Sequence, residues 1–261
     1  MALIFQNKFL LNLMTFILIF TAIACSRNEP AGKTEAEVLY KKALKNVSSG
    51  RYLQATEHLN TIKIQHPYSF YSTHAELLLA DILFLQEQFV ESAAAYILFK
   101  DMHPKNEKTV YVTWKIGESY YNQIPSTFDR DLTPAREAIK YYSDIVERFS
   151  TTEYVEKSKS RIQLCTKMLE QKEKYIADFY FRVDKYDAAR FRYLMIVDEF
   201  KSAELLEHAK KRIVESSFKI DDYQGCINYA DKFFMDLSDD AKKEVNVVKG
   251  LCQNKLTVKK L

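Results

Sequence analysis

Residues 52–67, YLQATEHLNTIKIQHP, decide the fold, because residues 89–104, FVESAAAYILFKDMHP, repeat their pattern 37 positions later. Each segment begins with an aromatic residue, continues with a small residue and two large apolar residues, and ends with proline. This order is typical of tetratricopeptide repeats, in which each unit is a pair of helices. The equivalent positions are Tyr52 and Phe89, Ala55 and Ser92, Leu59 and Tyr96, Ile62 and Phe99, and Pro67 and Pro104.

The same spacing extends over most of the chain. Ala43 falls on Ala80 one period later, and a further repeat with Gly117 on its first helix and Tyr142 on its second lies in the middle. The step to the next repeat exceeds the period by 14 residues, about 21 Å of helix, so we expect one overlong helix over residues 153–183. Near the C-terminus, Tyr186, Ala189, Tyr193 and Ile196 map onto Tyr223, Cys226, Ala230 and Phe233.

We therefore predict an all-α fold, a tetratricopeptide helical solenoid of about five helix pairs plus a closing helix near residues 242–255. Only 5 Gly and 5 Pro occur in 261 residues, too few for the many turns of an all-β protein. The 17 Tyr and 17 Phe are expected mainly at core positions of the repeats. A net charge of only +3 gives no general basic field, so we expect no nucleic-acid partner.

The N-terminus has the features of an export signal. Lys8 precedes an apolar run over residues 9–24, which is short for a spanning helix but fits a signal peptide. The run ends in Thr-Ala-Ile-Ala before Cys25, and small residues before a cysteine are typical of a bacterial lipobox. We predict lipidation of Cys25 after cleavage; the alternatives are an ordinary secretory signal cut near Ala24 and an uncleaved anchor.

The export signal, the repeats and a loop inserted within repeat 3 divide the chain into five predicted segments. Residues 1–24 form the lipoprotein signal peptide, residues 25–34 the lipidated cysteine and flexible tether, residues 35–124 the N-terminal repeats 1–2 with the first helix of repeat 3, residues 125–134 an inserted loop, and residues 135–255 the C-terminal part.

The sequence contains no recognisable catalytic set. HExxH, CxxC, GxSxG and P-loop strings are absent, and the five histidines have no metal-ligand spacing. We therefore predict no enzyme, no metal and no cofactor. Apart from Cys25, the chain has Cys165, Cys226 and Cys252; a bond between the last two is conceivable, and buried reduced thiols are the alternative.

In tetratricopeptide proteins the first helix of each pair lines a concave face, and the repeat offsets place residues on it. In the C-terminal half these positions are mostly charged, including Lys174, Asp178, His208 and Lys211, which favours docking of a folded partner. In the N-terminal half they are apolar and aromatic, which favours an extended hydrophobic peptide, although packing on a neighbouring helix or on the N-terminal tether is the alternative. The peptide-groove candidates are Tyr40, Leu44, Val47, Leu77, Phe84, Tyr111, Trp114 and Tyr121.

Three stretches resemble the BamD family, the tetratricopeptide lipoproteins of the outer-membrane β-barrel assembly machine. The first runs from His66 through Pro67-Tyr68-Ser69-Phe70-Tyr71 to Ala75, the second is the Asp129-Arg130-Asp131 loop with Leu132-Thr133-Pro134-Ala135, and the third is Ala177-Asp178-Phe179-Tyr180 with residues 186–192. The resemblance covers about residues 35–235.

This resemblance implies a role in binding without turnover. The N-terminal repeats would receive the targeting strands of unfolded outer-membrane β-barrel proteins, and the C-terminal repeats would dock on the periplasmic domain of BamA, with Arg192 matching the family arginine that contacts it. Other Bam lipoproteins are further implied partners, and the lipid anchor would hold the chain on the periplasmic face of the outer membrane. The alternative is a periplasmic tetratricopeptide lipoprotein that scaffolds peptidoglycan enzymes or cell-envelope division proteins.

Overall fold

The structure, a computed structural model, describes residues 32–259, and helices are the regular elements of that range. Cys25 and the predicted signal peptide lie outside the described residues. Two compact units divide at Gln86 and Glu87. Among the helices of residues 32–259, none combines the length and the hydrophobicity that crossing a bilayer requires.

The first unit consists of three helices that enclose a small apolar core. The Thr34 side chain caps the first helix by accepting a hydrogen bond from the Glu37 amide at 3.2 Å, and Ser69 caps the third through the Tyr71 amide at the same distance. The core between the helices is built from alanine, leucine and isoleucine side chains. The helices are α1 (Glu35–Ser48), α2 (Tyr52–Gln65) and α3 (Phe70–Leu85).

The second unit continues with helix pairs and contains the predicted long helix. That helix has 29 residues and extends from Tyr154 to Arg182, close to the expected bounds. The elements are α4 (Phe89–Met102), α5 (Thr109–Tyr121), α6 (Thr133–Arg148), α7 (Tyr154–Arg182), α8 (Tyr186–Glu199), α9 (Ala203–Lys219), α10 (Tyr223–Phe233), a 3-10 turn (Phe234–Asp236) and α11 (Asp239–Lys259).

Small residues at the repeat positions allow the helices to approach closely. Gly117 on α5 lies under the ring of Tyr142 on α6, where an added Cβ would come within 2.6 Å of the ring carbon Cε1. Tyr142 and the equivalent Tyr193 on α8 are fully buried. The alanines at repeat positions are also completely buried: Ala43, Ala55, Ala80, Ala138, Ala177 and Ala189.

The turns between paired helices repeat with the same period as the side chains. Gly50 and Glu87 are 37 residues apart and have φ of +69° and +59°, and Asp184 and Asp221, again 37 apart, have +57° and +59°. A left-handed conformation suits Gly50, is tolerated by the two aspartates and is unfavourable for Glu87. Since both the backbone and the core repeat together, the prediction of an all-α tetratricopeptide fold is confirmed.

A disulfide connects the closing helix to the repeat before it. Cys226 on α10 and Cys252 on α11 are bonded, with 6.5 Å between their Cα atoms. The other cysteine within residues 32–259, Cys165, is buried, and burial raises its pKa to about 11. Cys165 is therefore protonated at neutral pH and a poor nucleophile.

Candidate protein-binding site

The first unit presents an aromatic cluster on α1 and α3, which we call the N-terminal face and define by Tyr40, Leu44, Tyr71 and His74. The Tyr40 ring centroid lies 5.5 Å from that of Tyr71 and 5.9 Å from that of His74. His74 donates from Nδ1 to the Phe70 carbonyl at 3.0 Å, which fixes the orientation of the imidazole. The spacing of the rings is in the range that favours aromatic contacts.

Tyr40 is only partly accessible, and its environment disfavours the phenolate. Burial raises the pKa of Tyr40, and the nearby charges of Asp81 and Tyr71 raise it further. The hydroxyl is therefore neutral at physiological pH and is able both to donate and to accept a hydrogen bond. A rigid aromatic ring with a polar tip suits the binding of a polypeptide.

The other groove candidates of the first unit differ in exposure. Leu44 stands 43% exposed on α1, whereas Val47 packs against the core of the unit. Leu77 and Phe84 on α3 are half-buried. Leu44 is therefore the most accessible apolar side chain among these candidates.

In the second unit, two of the three groove candidates pack against neighbouring helices. The Trp114 ring lies 5.2 Å from that of Tyr142 and 5.6 Å from that of Tyr154 at the start of α7. The Arg161 guanidinium covers the Tyr121 ring at 3.9 Å from its centroid. Tyr111 is half-buried on the same helix. All three remain candidates for peptide contact, with Trp114 lining a shallow cleft of about 470 Å³.

Two carboxylates on first helices bind tyrosines on the second helices of their pairs. Glu118 accepts the Tyr142 hydroxyl at 2.5 Å and two hydrogen bonds from Arg161, at 2.9 and 3.0 Å. Arg161 and Glu118 therefore form a bidentate pair, the strong geometry for an arginine and a carboxylate. Burial raises the pKa of Tyr142, and the hydrogen bond to Glu118 raises it further.

Asp178 on α7 is the centre of the second network. It accepts the Tyr193 hydroxyl at 2.5 Å, the Lys174 ammonium at 2.9 Å and Nε2 of His208 at 2.7 Å. Burial opposes ionisation of Asp178, but the bonds from His208, Lys174 and Tyr193 outweigh it and hold the pKa well below its usual range. Since the carboxylate only accepts, the Nε2 atom of His208 carries the proton.

The charged positions predicted for the C-terminal half are therefore largely paired within the unit. Lys211 reaches Glu244 at 2.8 Å, and Lys174 and His208 share Asp178. Between α7 and α9, Lys174, His208 and Lys211 line an open cleft of about 650 Å³. Sequence reasoning placed the charges on this face but missed their partners, because the pairing depends on contacts between helices.

Arg192 lies on α8 and is about one-third exposed. Its Nη1 is 3.6 Å from Oε2 of Glu173, whose side chain is only 14% exposed. The neighbouring Phe191 is exposed on the same helix. Arg192 thus combines a loose internal ion pair with a partly exposed side chain, and such an arginine is available to a partner carboxylate.

The described residues contain no group of three or more His, Cys, Asp or Glu that could hold a metal ion. Histidines of the described residues have structural partners: His208 bonds to Asp178, His74 packs against Phe70 with ring centroids 4.2 Å apart, and His103 packs against Phe99 at 4.8 Å.

Helix pairs with apolar and charged faces define a helical-repeat protein of the tetratricopeptide type. Residues 32–220 match a family model described as YfiO, outer membrane lipoprotein, which is well over half of the chain. The chain therefore belongs to the YfiO family of outer membrane lipoproteins.

The relatives agree with the resemblance found in the sequence. The chain is 29% identical over 178 residues to outer membrane protein assembly factor BamD of Rickettsia prowazekii, covering 68% of this chain and 70% of the relative. It is 24% identical over 184 residues to the factor of the same name from Caulobacter vibrioides, covering 70% of this chain and 60% of the relative. The predicted resemblance to BamD proteins is confirmed.

Among solved structures, the TPR2AB-domain:pHSP90-complex of yeast Sti1 is similar, with a TM-score of 0.43 and 13% identity over 86% of this chain and 85% of that chain.

Proposed function

We propose that this protein is a lipid-anchored subunit of the outer-membrane β-barrel assembly (Bam) machine and that it acts by binding proteins, without catalysing a reaction. The observation that carries the proposal is the match of residues 32–220 to the YfiO family, joined to relatives named outer membrane protein assembly factor BamD. The surfaces described above supply the chemistry that such a role needs.

The N-terminal face is proposed to bind the targeting strands of unfolded β-barrel proteins. Such a strand alternates apolar and polar side chains. Leu44 offers an exposed apolar contact, and the rings of Tyr40 and Tyr71 offer a rigid surface beside it. A rigid face of this kind binds with little loss of side-chain entropy.

The C-terminal repeats are proposed to dock on the periplasmic domain of BamA through Arg192. The guanidinium is positioned by Glu173 but is bound to it only loosely, at 3.6 Å. A carboxylate on BamA would therefore compete for it and form a bidentate pair. Other lipoproteins of the same machine are proposed as further partners.

Lipidation of Cys25 is proposed to hold the protein on the periplasmic face of the outer membrane. The small residues that precede Cys25 support this assignment. A cysteine carrying several fatty-acyl chains binds a bilayer far more firmly than a single chain does.

Calorimetry of the purified protein with the isolated periplasmic domains of BamA from the same organism tests the proposal. We expect saturable binding with a micromolar or lower dissociation constant. Absence of heat at tens of micromolar would contradict the proposal and would favour the scaffold of peptidoglycan or division proteins instead.

A further inference from the structure

Three large apolar side chains are exposed within seven residues, around the turn between α2 and α3. Ile64 is 79% exposed, Phe70 is 72% exposed, and Tyr68 is fully exposed. We call these residues the apolar turn. Their neighbours Ile62 and Ala75 are completely buried in the core of the unit. The core of the first unit therefore excludes the apolar turn, although the Phe70 ring contacts those of Tyr71 and His74, with centroids 5.5 and 4.2 Å apart.

The apolar turn lies beside the point where the polypeptide enters the fold. His66, which directly follows α2, has its Nε2 atom 3.5 Å from Oε2 of Glu35, the first residue of α1. His66 is two residues from both Ile64 and Tyr68. The turn between α2 and α3 therefore lies close to the start of α1.

The length of chain before α1 limits how far this turn can move from an anchored cysteine. Residues 26–34 separate Cys25 from Glu35, and these ten steps along the chain span at most about 36 Å when fully extended. The maximum distance between Cys25 and Glu35 is therefore close to the thickness of the hydrocarbon core of a bilayer. The local concentration of membrane surface at the apolar turn is therefore high.

We propose that the apolar turn rests on the phospholipid surface, with Ile64, Tyr68 and Phe70 placed at the boundary between headgroups and acyl chains. The inference rests on the proposed lipidation of Cys25. Tyrosine is enriched at this depth because its ring is apolar and its hydroxyl stays hydrated. Lys63, next to Ile64, extends an ammonium group that phosphate groups attract. The contact would orient the first repeat relative to the membrane, which the anchor alone cannot do.

Fluorescence quenching by brominated lipid tests the contact in the full-length acylated protein. The Tyr68→Trp variant places an indole on the turn at a position whose exposure makes misfolding a small risk, and Phe191→Trp places one at an exposed site of the second unit. Both retain Trp114, so the unsubstituted protein sets the baseline. Vesicles of phosphatidylethanolamine and phosphatidylglycerol with bromine on the acyl chains serve as quencher.

The emission that each new tryptophan adds to that of the unsubstituted protein is the quantity compared. We expect bromolipid to lower this added emission at least twofold in Tyr68→Trp. In Phe191→Trp, bromolipid should change the emission no more than it does in the unsubstituted protein. Unquenched Tyr68→Trp emission from protein that stays bound to vesicles would overturn the inference while the proposed anchor stands. Protein that washes off the vesicles would overturn the anchor and the inference with it. An unquenched indole that shifts to shorter wavelength when a targeting-strand peptide is added would overturn the inference by assigning the turn to peptide binding.

Discussion

The Asp178 carboxylate accepts a hydrogen bond from the Tyr193 hydroxyl at 2.5 Å, and the pair joins the two helices of one repeat. Glu118 and Tyr142 form the same bond at the same distance in the preceding repeat. In both places a nitrogen donor from the next first helix, on His208 or Arg161, completes the network. A buried tyrosine with a satisfied hydroxyl therefore connects three consecutive helices, and its network stabilises the orientation of the charged face.

We expect Asp178→Ala to destabilise the protein by about 2 kcal/mol, because the Tyr193 hydroxyl and the His208 ring lose their acceptor. Urea unfolding followed by circular dichroism measures the effect. Asp198→Ala removes an exposed aspartate from α8 and is the matched control, with an expected change below about 0.5 kcal/mol. Equal losses in the two variants would contradict a special role for Asp178.

The same network predicts a pH dependence. The native pKa of Asp178 is lowered, so the folded state binds fewer protons than the unfolded state. The stabilisation by Asp178 is therefore complete above about pH 4, the ordinary value for aspartate, and is lost as the pH falls toward the native pKa. The gap in stability between the parent protein and Asp178→Ala should narrow below pH 4. A gap that stayed constant down to pH 2.5 would contradict this assignment.

Gly117→Ala is expected to destabilise the protein, because the new methyl group would overlap the Tyr142 ring. The nearest ring atom would lie 2.6 Å from the added Cβ. Tyr142 is buried and fixed by Glu118, so it has little freedom to move. We expect a cost of about 1–3 kcal/mol, the usual range for overpacking. Gly250→Ala on α11, with no atom within 4 Å, should be neutral or stabilising. Thermal unfolding that ranked the two variants the other way would refute the packing argument.

Reduction of the Cys226–Cys252 bond should destabilise the protein, since the bond closes a segment with a sequence separation of 26 residues. Loop closure of this length is worth about 3 kcal/mol. Thermal unfolding with and without reductant measures the effect, with the Cys226→Ala/Cys252→Ala variant as the reductant-insensitive control. A melting temperature of the parent protein that did not respond to reductant would be evidence against the bond.

Leu44→Asp should weaken binding of a targeting-strand peptide about tenfold, because it places a charge on the most accessible apolar position of the N-terminal face. Fluorescence anisotropy of a labelled C-terminal peptide from a β-barrel protein provides the affinity. Leu53→Asp makes the same change at a more exposed position on α2, away from this face, and should leave the affinity unchanged. If both variants bound as tightly as the parent protein, the N-terminal face would not be the peptide site.

The repeat architecture could be predicted because its causes are local and periodic. The recurrence of Tyr, Ala and Pro at fixed offsets predicts helix pairs, and the excess spacing before Tyr186 predicts the long helix α7. Gly117 marks the close approach of two helices, but its cause, the ring of Tyr142, becomes evident only in three dimensions.

The candidate site was less predictable, since it depends on which side chains meet. The offsets place Trp114 on the binding face, yet they do not indicate that Tyr154, at the start of the long helix, lies against it. Similarly, the sequence shows Asp178 and His208 as separate charges, and only the packing of α7 on α9 makes them a pair. The positive φ of Glu87 was also missed, because glutamate does not favour that conformation.

The docking proposal depends most directly on Arg192. The decisive measurement is the dissociation constant of the full protein for the periplasmic domain of BamA, compared between the parent and Arg192→Glu, with Lys201→Glu as a control that reverses an exposed charge in the same unit. Because Glu173 lies 3.6 Å from Arg192, thermal unfolding must first show that Arg192→Glu remains folded. We predict that Arg192→Glu weakens binding at least tenfold, about 1.4 kcal/mol, while Lys201→Glu binds like the parent. Unchanged binding of folded Arg192→Glu, or equal weakening by both variants, would contradict the proposal.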